Sequence, residues 1–295
     1  MIEHMPRIDM KMTGASQAAK DALVECDGSI LDHDENLRYP NLIRISGGFY
    51  APKGTTVAAP NLRYVGGHLQ TPRAVRSEFR RLETVGGSIY VDSAVGDRDK
   101  RTADELMSAE APSMSFPALR IVGGGFVANR MESDVSLPRL ENIGSDFKVP
   151  RAQAIFCPLL QSVGRFLDLS RAVQIFLPNL RVVGHSFLAS DATEFCCGAL
   201  EVVGGELSLL SLKIGLSLPR LRIVGASLVV RADSIFCPNL EYVGAAIEVY
   251  CAEKVVLPKL EQVNDDITVL TESKVFVPDG FSERIFRLDN RKGSI

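Results

Sequence analysis

The stretch Val224–Tyr242 reads VGASLVVRADSIFCPNLEY, and its last five residues begin the next copy of the same unit. Leu228 and Val230 alternate with the outward position of Val229, which is typical of a strand with one buried face. Gly225 precedes this strand, and Pro238 lies two residues before Leu240, the leucine of the next unit. Twenty residues leave no room for a three-turn helix beside two strands and their corners. The unit is therefore predicted to be strand and extended chain.

The unit recurs along most of the 295 residues. Its phrase is Pro-x-Leu-x-x-Val-Gly, and the leucine falls at Leu42, Leu62, Leu82, Leu119, Leu140, Leu160, Leu180, Leu200, Leu221, Leu240 and Leu260. Nine of the ten gaps are within one residue of twenty, and the gap between Leu82 and Leu119 is longer. This regularity indicates a repeat architecture. We predict a mostly all-β fold, a right-handed parallel β-solenoid of about eleven or twelve 20-residue turns.

The extent of the repeat divides the chain into three predicted segments. Residues 1–35 form an N-terminal segment, in which Ser16 is the expected N-cap of a short helix that covers the first turn. Residues 36–278 are the solenoid, and residues 279–295 are a C-terminal cap with a basic tail. The long gap holds a charged insertion, residues 96–112. An insertion in a solenoid lies on a loop and is either a binding element or a neutral addition.

The alternation also predicts which side chains point inward. One inward ladder is Val65, Val85, Val122, Ile143, Val163, Val183, Val203, Val224, Val243 and Val263, and a second is Leu69, Ile89, Phe126, Phe147, Leu167, Phe187, Leu207, Leu228, Ile247 and Ile267. Glycine follows most members of the first ladder, which indicates a corner that needs positive φ or close backbone approach. Outward pairs of opposite charge are expected to align neighbouring turns: Arg63/Glu83, Arg120/Glu141, Arg181/Glu201 and Arg222/Glu241.

Composition narrows the function classes. The formal net charge is -3 without a long basic run, which argues against a general nucleic-acid binder. No eighteen apolar residues run together, so no membrane-spanning helix is expected. The N-terminal residues lack the apolar core of a secretory leader, and the six cysteines form no CxxC pair. We therefore expect buried thiols and a cytoplasmic location, although export by a non-cleaved route stays open.

Residues suited to chemistry are few. His68 and His185 lie several turns apart, and no phosphate-binding loop or serine nucleophile elbow is present. One outward set combines acidic and basic groups at Asp146, Lys148, Arg165 and Asp168, but a cross-strand ion pair explains Lys148 beside Asp168. We expect no catalytic residue, no metal site and no cofactor.

The units LPNLRVVGHSFLAS and CPNLEYVGAAIEVY resemble the repeats of receptor L-domain-like proteins, which are related to leucine-rich repeats. The likeness covers roughly residues 36 to 278. It departs from the common leucine-rich repeat at the position occupied by Gly67, Gly87, Arg165 or His185, and the asparagine ladder is absent. The resemblance implies a parallel β-helix that binds proteins or glycans on a sheet face.

The candidate binding residues lie on the outward side of the second inward ladder. They are Tyr50, Tyr90, Leu188, Leu210, Val229, Tyr250 and Leu270, and the late members are expected to form an apolar and aromatic patch. We predict a non-enzymatic recognition scaffold for a protein partner, since aromatic residues dominate binding hot spots. Two alternatives remain: a carbohydrate-binding or carbohydrate-active β-helix, and a self-assembling structural protein.

Overall fold

A computed structural model describes residues 10–91, 113–213, 215–250, 252–270 and 272–288. The predicted insertion at 96–112 lies outside the described residues. The chain divides into two compact units, Met1–Arg151 and Ala152–Ile295, which we call unit 1 and unit 2. Both are parallel β-solenoids, and the described residues contain about 13 turns in total with very little helix. The predicted fold class is confirmed, with slightly more turns than expected.

Unit 1 contains one described α-helix, α1 (Gln17–Ala22), which follows the first strand. Its strands are β1 (Met10–Lys11), β2 (Glu25–Cys26), β3 (Ile30–Leu31), β4 (Asn36–Arg38), β5 (Arg44–Ile45), β6 (Phe49–Tyr50), β7 (Thr56–Ala58), β8 (Tyr64–Val65), β9 (Leu69–Gln70), β10 (Arg76–Glu78), β11 (Thr84–Val85), β12 (Ile89–Tyr90), β13 (Ser113–Ser115), β14 (Ile121–Val122), β15 (Phe126–Val127), β16 (Val135–Ser136), β17 (Asn142–Ile143) and β18 (Phe147–Lys148).

Unit 2 continues the same pattern and contains a 3₁₀ helix at Asp279–Arg284. Its strands are β19 (Ala154–Phe156), β20 (Ser162–Val163), β21 (Leu167–Asp168), β22 (Gln174–Phe176), β23 (Val182–Val183), β24 (Phe187–Leu188), β25 (Glu194–Cys196), β26 (Val202–Val203), β27 (Leu207–Leu209), β28 (Leu216–Ser217), β29 (Ile223–Val224), β30 (Leu228–Arg231), β31 (Ser234–Phe236), β32 (Tyr242–Val243), β33 (Ile247–Tyr250), β34 (Lys254–Val256), β35 (Gln262–Val263), β36 (Ile267–Leu270), β37 (Lys274–Phe276) and β38 (Ile285–Leu288).

Each typical turn contributes one strand to each of three faces. The first face has the order β1-β3-β6-β9-β12-β15-β18 in unit 1 and β21-β24-β27-β30-β33-β36-β38 in unit 2. The second face is β2-β5-β8-β11-β14-β17 in unit 1 and β20-β23-β26-β29-β32-β35 in unit 2. The third face is β4-β7-β10-β13 in unit 1, where β16 also belongs to this face but does not pair with β13, and in unit 2 it comprises two separate groups, β19-β22-β25 and β28-β31-β34-β37.

Both predicted inward ladders are confirmed. Every member is buried, with at most 1% of its surface exposed. In unit 2, for example, Leu228 pairs with Leu207 on one side and Ile247 on the other, so equivalent side chains stack from turn to turn. This stacking removes the apolar side chain of every turn from water, which is the main favourable contribution to folding.

The corner glycines serve close backbone approach. A Cβ added at Gly225 would overlap the carbonyl oxygen of Gly204 in the preceding turn. Positive φ occurs only at Gly14 and Gly28 among the glycines that the structure describes, and neither belongs to the repeated corner. Of the two reasons the sequence left open, crowding by the neighbouring turn is therefore the one that applies.

The N-terminal cap differs from the prediction in one respect. Ser16 is the N-cap of α1, as expected, and its side chain accepts a hydrogen bond from the Ala19 amide at 3.3 Å. However, β1, β2 and β3 already pair in parallel with later turns. The strand ladders therefore begin before residue 36, because the segment assigned to the cap also carries inward residues such as Ile30 and Cys26.

The expected charge ladder is also present. Each predicted Arg–Glu pair forms an ion pair between neighbouring turns, with nitrogen–oxygen distances of 3.8 Å for Arg63–Glu83, 2.8 Å for Arg120–Glu141, 2.9 Å for Arg181–Glu201 and 2.8 Å for Arg222–Glu241. All of these side chains are partly exposed, so each pair contributes little to stability and mainly fixes the alignment of the turns.

Candidate functional site

The candidate residues predicted from the sequence lie on the outward side of the first face. In unit 1, Tyr50 is half-buried, and burial raises the pKa of its hydroxyl. Tyr90 is 38% exposed, and its ring centroid lies 6.1 Å from that of His68. In unit 2, Leu188, Leu210 and Val229 are half-buried. The candidate residues are distributed over several turns of both units, and no two neighbouring strands hold all of them.

Polar side chains separate the members in unit 2. Leu188 pairs with Asp168 and Ser208, and Val229 pairs with Ser208 and Glu248. From Asp168 to Glu248 the first face of unit 2 therefore alternates between polar and apolar side chains, and a second polar residue, Thr268, follows Glu248. A protein surface of this composition is ordinary, because single exposed apolar residues are common.

Tyr250 and Leu270 lie two positions further along their strands. The Tyr250 hydroxyl donates a hydrogen bond to Glu248 Oε2 at 2.7 Å, and this bond raises the pKa of the tyrosine. Its strand neighbour on one side is Arg231. The backbone of Leu270 pairs with Leu288, and its side chain lies outside the description.

A more exposed set of aromatic residues lies on the third face of unit 2. These residues are the last of their strands, and we call them the phenylalanine row: Phe156, Phe176, Phe236 and Phe276. Between 41% and 49% of each side chain is exposed to solvent. The Phe156 and Phe176 rings stack in parallel, with their centroids 5.3 Å apart and their planes 8° apart.

The same repeat position in unit 1 shows that phenylalanine is not needed for folding. Its occupants there are small or polar, namely Arg38, Ala58, Glu78, Ser115 and Ser136. All five are exposed or half-exposed. Because the fold accepts polar residues at this position, the packing of the turn does not account for the phenylalanine row.

Two lysines lie beside the later half of the row. Lys254 and Lys274 are directly opposite each other on β34 and β37, an arrangement of like charges that destabilises a sheet. The Lys254 ammonium lies 5.3 Å from the centroid of the Phe276 ring. Neither lysine forms an ion pair with a described residue. This part of the third face is therefore apolar and basic.

The sequence contains a pattern that indicates the outward position of Phe236, although the prediction of the binding face did not use it. Ser234-Ile235-Phe236 has the same period of two as the other strands, with Ile235 buried and Phe236 exposed. The run is only three residues long and is followed by a proline corner, so its sequence is also typical of a turn. Its assignment as a strand places Phe236 on the outside.

The outward acidic and basic set forms local pairs. The Lys148 ammonium lies 3.0 Å from Asp146 Oδ2 in unit 1. In unit 2, Asp168 Oδ1 accepts a hydrogen bond from the Ser170 amide at 3.2 Å. Among the described residues, no three His, Cys, Asp or Glu side chains are close enough to hold a metal ion.

Comparisons with protein-family models, curated proteins and solved structures give no match. In the part of the chain that the structure describes, no helix is long and apolar enough to cross a membrane.

Proposed function

We propose that this protein is a non-enzymatic recognition scaffold, and that unit 2 binds a protein partner through the phenylalanine row. The observation that carries the proposal is the contrast between the two units at one repeat position. Unit 1 has small or polar residues there, whereas unit 2 has exposed phenylalanines on four of its seven strands and Cys196, Ser217 and Val256 on the other three. Large aromatic side chains are enriched at binding hot spots, where they bury much area at a small cost in conformational entropy.

The lysine pair indicates the chemistry of the partner. Lys254 and Lys274 repel each other unless a negative charge lies between or above them. Phe236, Val256 and Phe276 provide adjacent apolar contacts on the same strands. We therefore propose an acidic segment with apolar residues as the occupant. The relation to leucine-rich repeats and a cytoplasmic location are further parts of this proposal.

The test uses a peptide library displayed on phage and selected on the purified full chain. Selected peptides should be rich in Asp, Glu and apolar residues. Their affinity should fall at least about tenfold for the double variant Phe236→Ser with Phe276→Ser, since the variant loses two aromatic contacts. The fold should persist, because Ser115 and Ser136 occupy the same position in unit 1.

A matched control lies on the second face of unit 2. Val182 and Ile223 are 39% and 36% exposed, and Ser162 occupies their repeat position in another turn. Val182→Ser with Ile223→Ser should therefore leave peptide affinity unchanged. Equal binding by wild type and the phenylalanine variant would overturn the proposal.

Three further outcomes would each support another interpretation. Loss of binding in Leu188→Ser would move the site to the first face, where Tyr50, Tyr90, Leu210, Val229, Tyr250 and Leu270 remain predicted contacts. Saturable binding on a glycan array without peptide binding would favour a carbohydrate-binding β-helix. A mass that rises with concentration in light scattering, and falls in the phenylalanine variant, would favour self-assembly.

A further inference from the structure

Unit 1 contains a surface pocket with an unusual concentration of positive charge. The pocket has a volume of about 440 Å³ and is lined by Arg63, Arg80, Arg81, Arg139 and Glu83, with Ala118 among its walls. Four arginines and one glutamate give an excess of three positive charges. The whole chain carries a formal net charge of -3, so this excess is local and not a property of the protein surface as a whole.

Only part of this charge is compensated within the structure. Arg63 lies 3.8 Å from Glu83, and Arg80 lies 3.4 Å from Glu78, both between exposed side chains. Arg81 and Arg139 form no ion pair with a described residue. Two guanidinium groups on different turns are therefore available to a ligand in the same pocket.

Arg81 occupies a repeat position whose residue varies from turn to turn, and Arg139 and Arg220 hold the same position in later turns. In four other turns the position is asparagine, whose side-chain amide donates a hydrogen bond to a backbone carbonyl of the preceding turn. The donors and distances are Asn41 at 2.8 Å, Asn61 at 2.7 Å, Asn179 at 2.7 Å and Asn239 at 2.6 Å.

Arg80 likewise replaces a proline, since Pro40 and Pro60 precede the asparagines of the two earlier turns. The turn with Arg80 and Arg81 therefore lacks both the proline and the inter-turn hydrogen bond of the two turns before it. The next turn carries the small residue Ala118, which leaves space beside the arginines. The turn therefore departs from the repeat at Arg80 and gathers charge at two successive positions, and such local departures are typical of functional positions.

We propose that this pocket binds a small ligand that carries two linked phosphate groups. Arginine forms paired, charge-assisted hydrogen bonds with phosphate oxygens. One phosphate carries a charge of about -1.5 to -2 near neutral pH, so two linked phosphates can neutralise Arg81 and Arg139 and still interact with the partly compensated Arg63 and Arg80. A carboxylate carries a single charge and two acceptor oxygens, whereas a phosphate group offers a larger charge and three oxygens to the guanidinium groups. Binding is non-covalent and leaves the ligand unchanged.

Isothermal titration calorimetry with pyrophosphate, in metal-free buffer at low salt, tests this assignment. Pyrophosphate should bind saturably and more tightly than inorganic phosphate or citrate. Its affinity should fall about tenfold in Arg81→Asn and in Arg139→Asn, since each variant loses a hydrogen bond to a charged group. Added salt should weaken binding, because the interaction is between exposed charges.

The chain provides a matched control for both variants. Arg220 follows Pro219 as Arg139 follows Pro138, but it lies in unit 2 and lines no part of this pocket. Arg220→Asn should therefore leave pyrophosphate affinity unchanged. Arg81→Asn should fold normally, because asparagine occupies this position in four other turns, and circular dichroism should show an unchanged spectrum for each variant.

Three results would overturn the proposal: no saturable binding of pyrophosphate to the wild-type chain, tighter binding of citrate than of pyrophosphate, or an equal loss of affinity in Arg220→Asn. The last result would assign binding to general surface charge. This test is independent of the peptide experiment, since the two sites lie in different units and share no residue.

Discussion

Leu228 and Val229 are neighbours in sequence, but their side chains point to opposite sides of β30. Leu228 is fully buried between Leu207 and Ile247, whereas Val229 is half-exposed beside Glu248. Leu228→Ala should lower the free energy of unfolding by about 2–5 kcal/mol, because it leaves a cavity in the ladder. Val229→Lys should change it by less than about 0.5 kcal/mol. Urea denaturation measures both, and the reverse order would mean that the strand register is wrong by one residue.

Thr71 is a polar residue in an apolar environment. Its side chain is fully buried, and its hydroxyl oxygen has no hydrogen-bond partner among the described residues. Thr71→Val keeps the shape and removes the unpaired hydroxyl, so it should raise the free energy of unfolding by about 1 kcal/mol. Thr71→Ser keeps the hydroxyl and loses a methyl group, and it should be less stable than wild type. A less stable valine variant would show that the hydroxyl has a partner after all.

The thiols differ in access to solvent. Cys157 and Cys237 are fully buried, as predicted, whereas Cys196 is exposed at the end of β25. Burial raises the pKa of the Cys237 thiol to about 12, so almost no reactive thiolate forms at neutral pH. In a Cys251→Ser background, maleimide should label Cys196 rapidly and the buried thiols only after unfolding. Rapid labelling of Cys237 in the native protein would contradict its inward position.

At the scale of elements, a buried charge network attaches α1 to the first turns. The Lys20 ammonium lies 2.7 Å from Asp32 Oδ2 and 2.7 Å from Asp34 Oδ2. The Tyr39 hydroxyl donates a hydrogen bond to Asp32 Oδ2 at 2.6 Å. Lys20→Met leaves the buried Asp32 without its cation and should lower the free energy of unfolding by about 3–5 kcal/mol. Lys11→Met, at an exposed position of β1, is the control and should have little effect.

The network also predicts a pH dependence. Burial alone lowers the pKa of Lys20, but the hydrogen bonds to Asp32 and Asp34 outweigh it and raise the pKa. The hydrogen bond from Lys20 lowers the pKa of Asp34 below its ordinary value of 3.8. The stabilisation by Asp34 is therefore present above pH 3.8 and lost as the pH falls further. The difference in stability between wild type and Lys20→Met should shrink over that acidic range, and a difference independent of pH would contradict the assignment.

The strands show how far the sequence determines the fold. Inward positions were predictable because they are apolar in nearly every turn, so the pattern repeats at Leu207, Leu228 and Ile247. The charge pairs were predictable because neighbouring turns place equivalent residues side by side. Outward positions follow no such rule, and the exposure of Phe236 depends on a three-residue strand that resembles a turn. A search for repeats does not reveal the arginine pocket, because Arg80 departs from the repeat and the residue at the position of Arg81 varies from turn to turn.

At the scale of the whole molecule, stability in each unit should vary along the stack. The strand β30 pairs with neighbours on both sides, whereas β38 pairs only with β36 among the described strands. Repeat proteins can open from their ends, because each turn depends mainly on its neighbours. Amide hydrogen exchange should therefore be slower in Leu228–Arg231 than in Ile285–Leu288. Equal rates in the two segments would mean that unit 2 opens only as a whole.

The ladders also make the length of each unit adjustable. Every typical turn has apolar residues at the same inward positions, where they contact the turn before and the turn after. Removal or duplication of twenty residues therefore restores equivalent neighbours on both sides. Each added turn lengthens the stack by about 4.8 Å. A chain of this kind can act as a molecular ruler, in which the gain or loss of whole turns sets the spacing between surface groups without a change to any single turn.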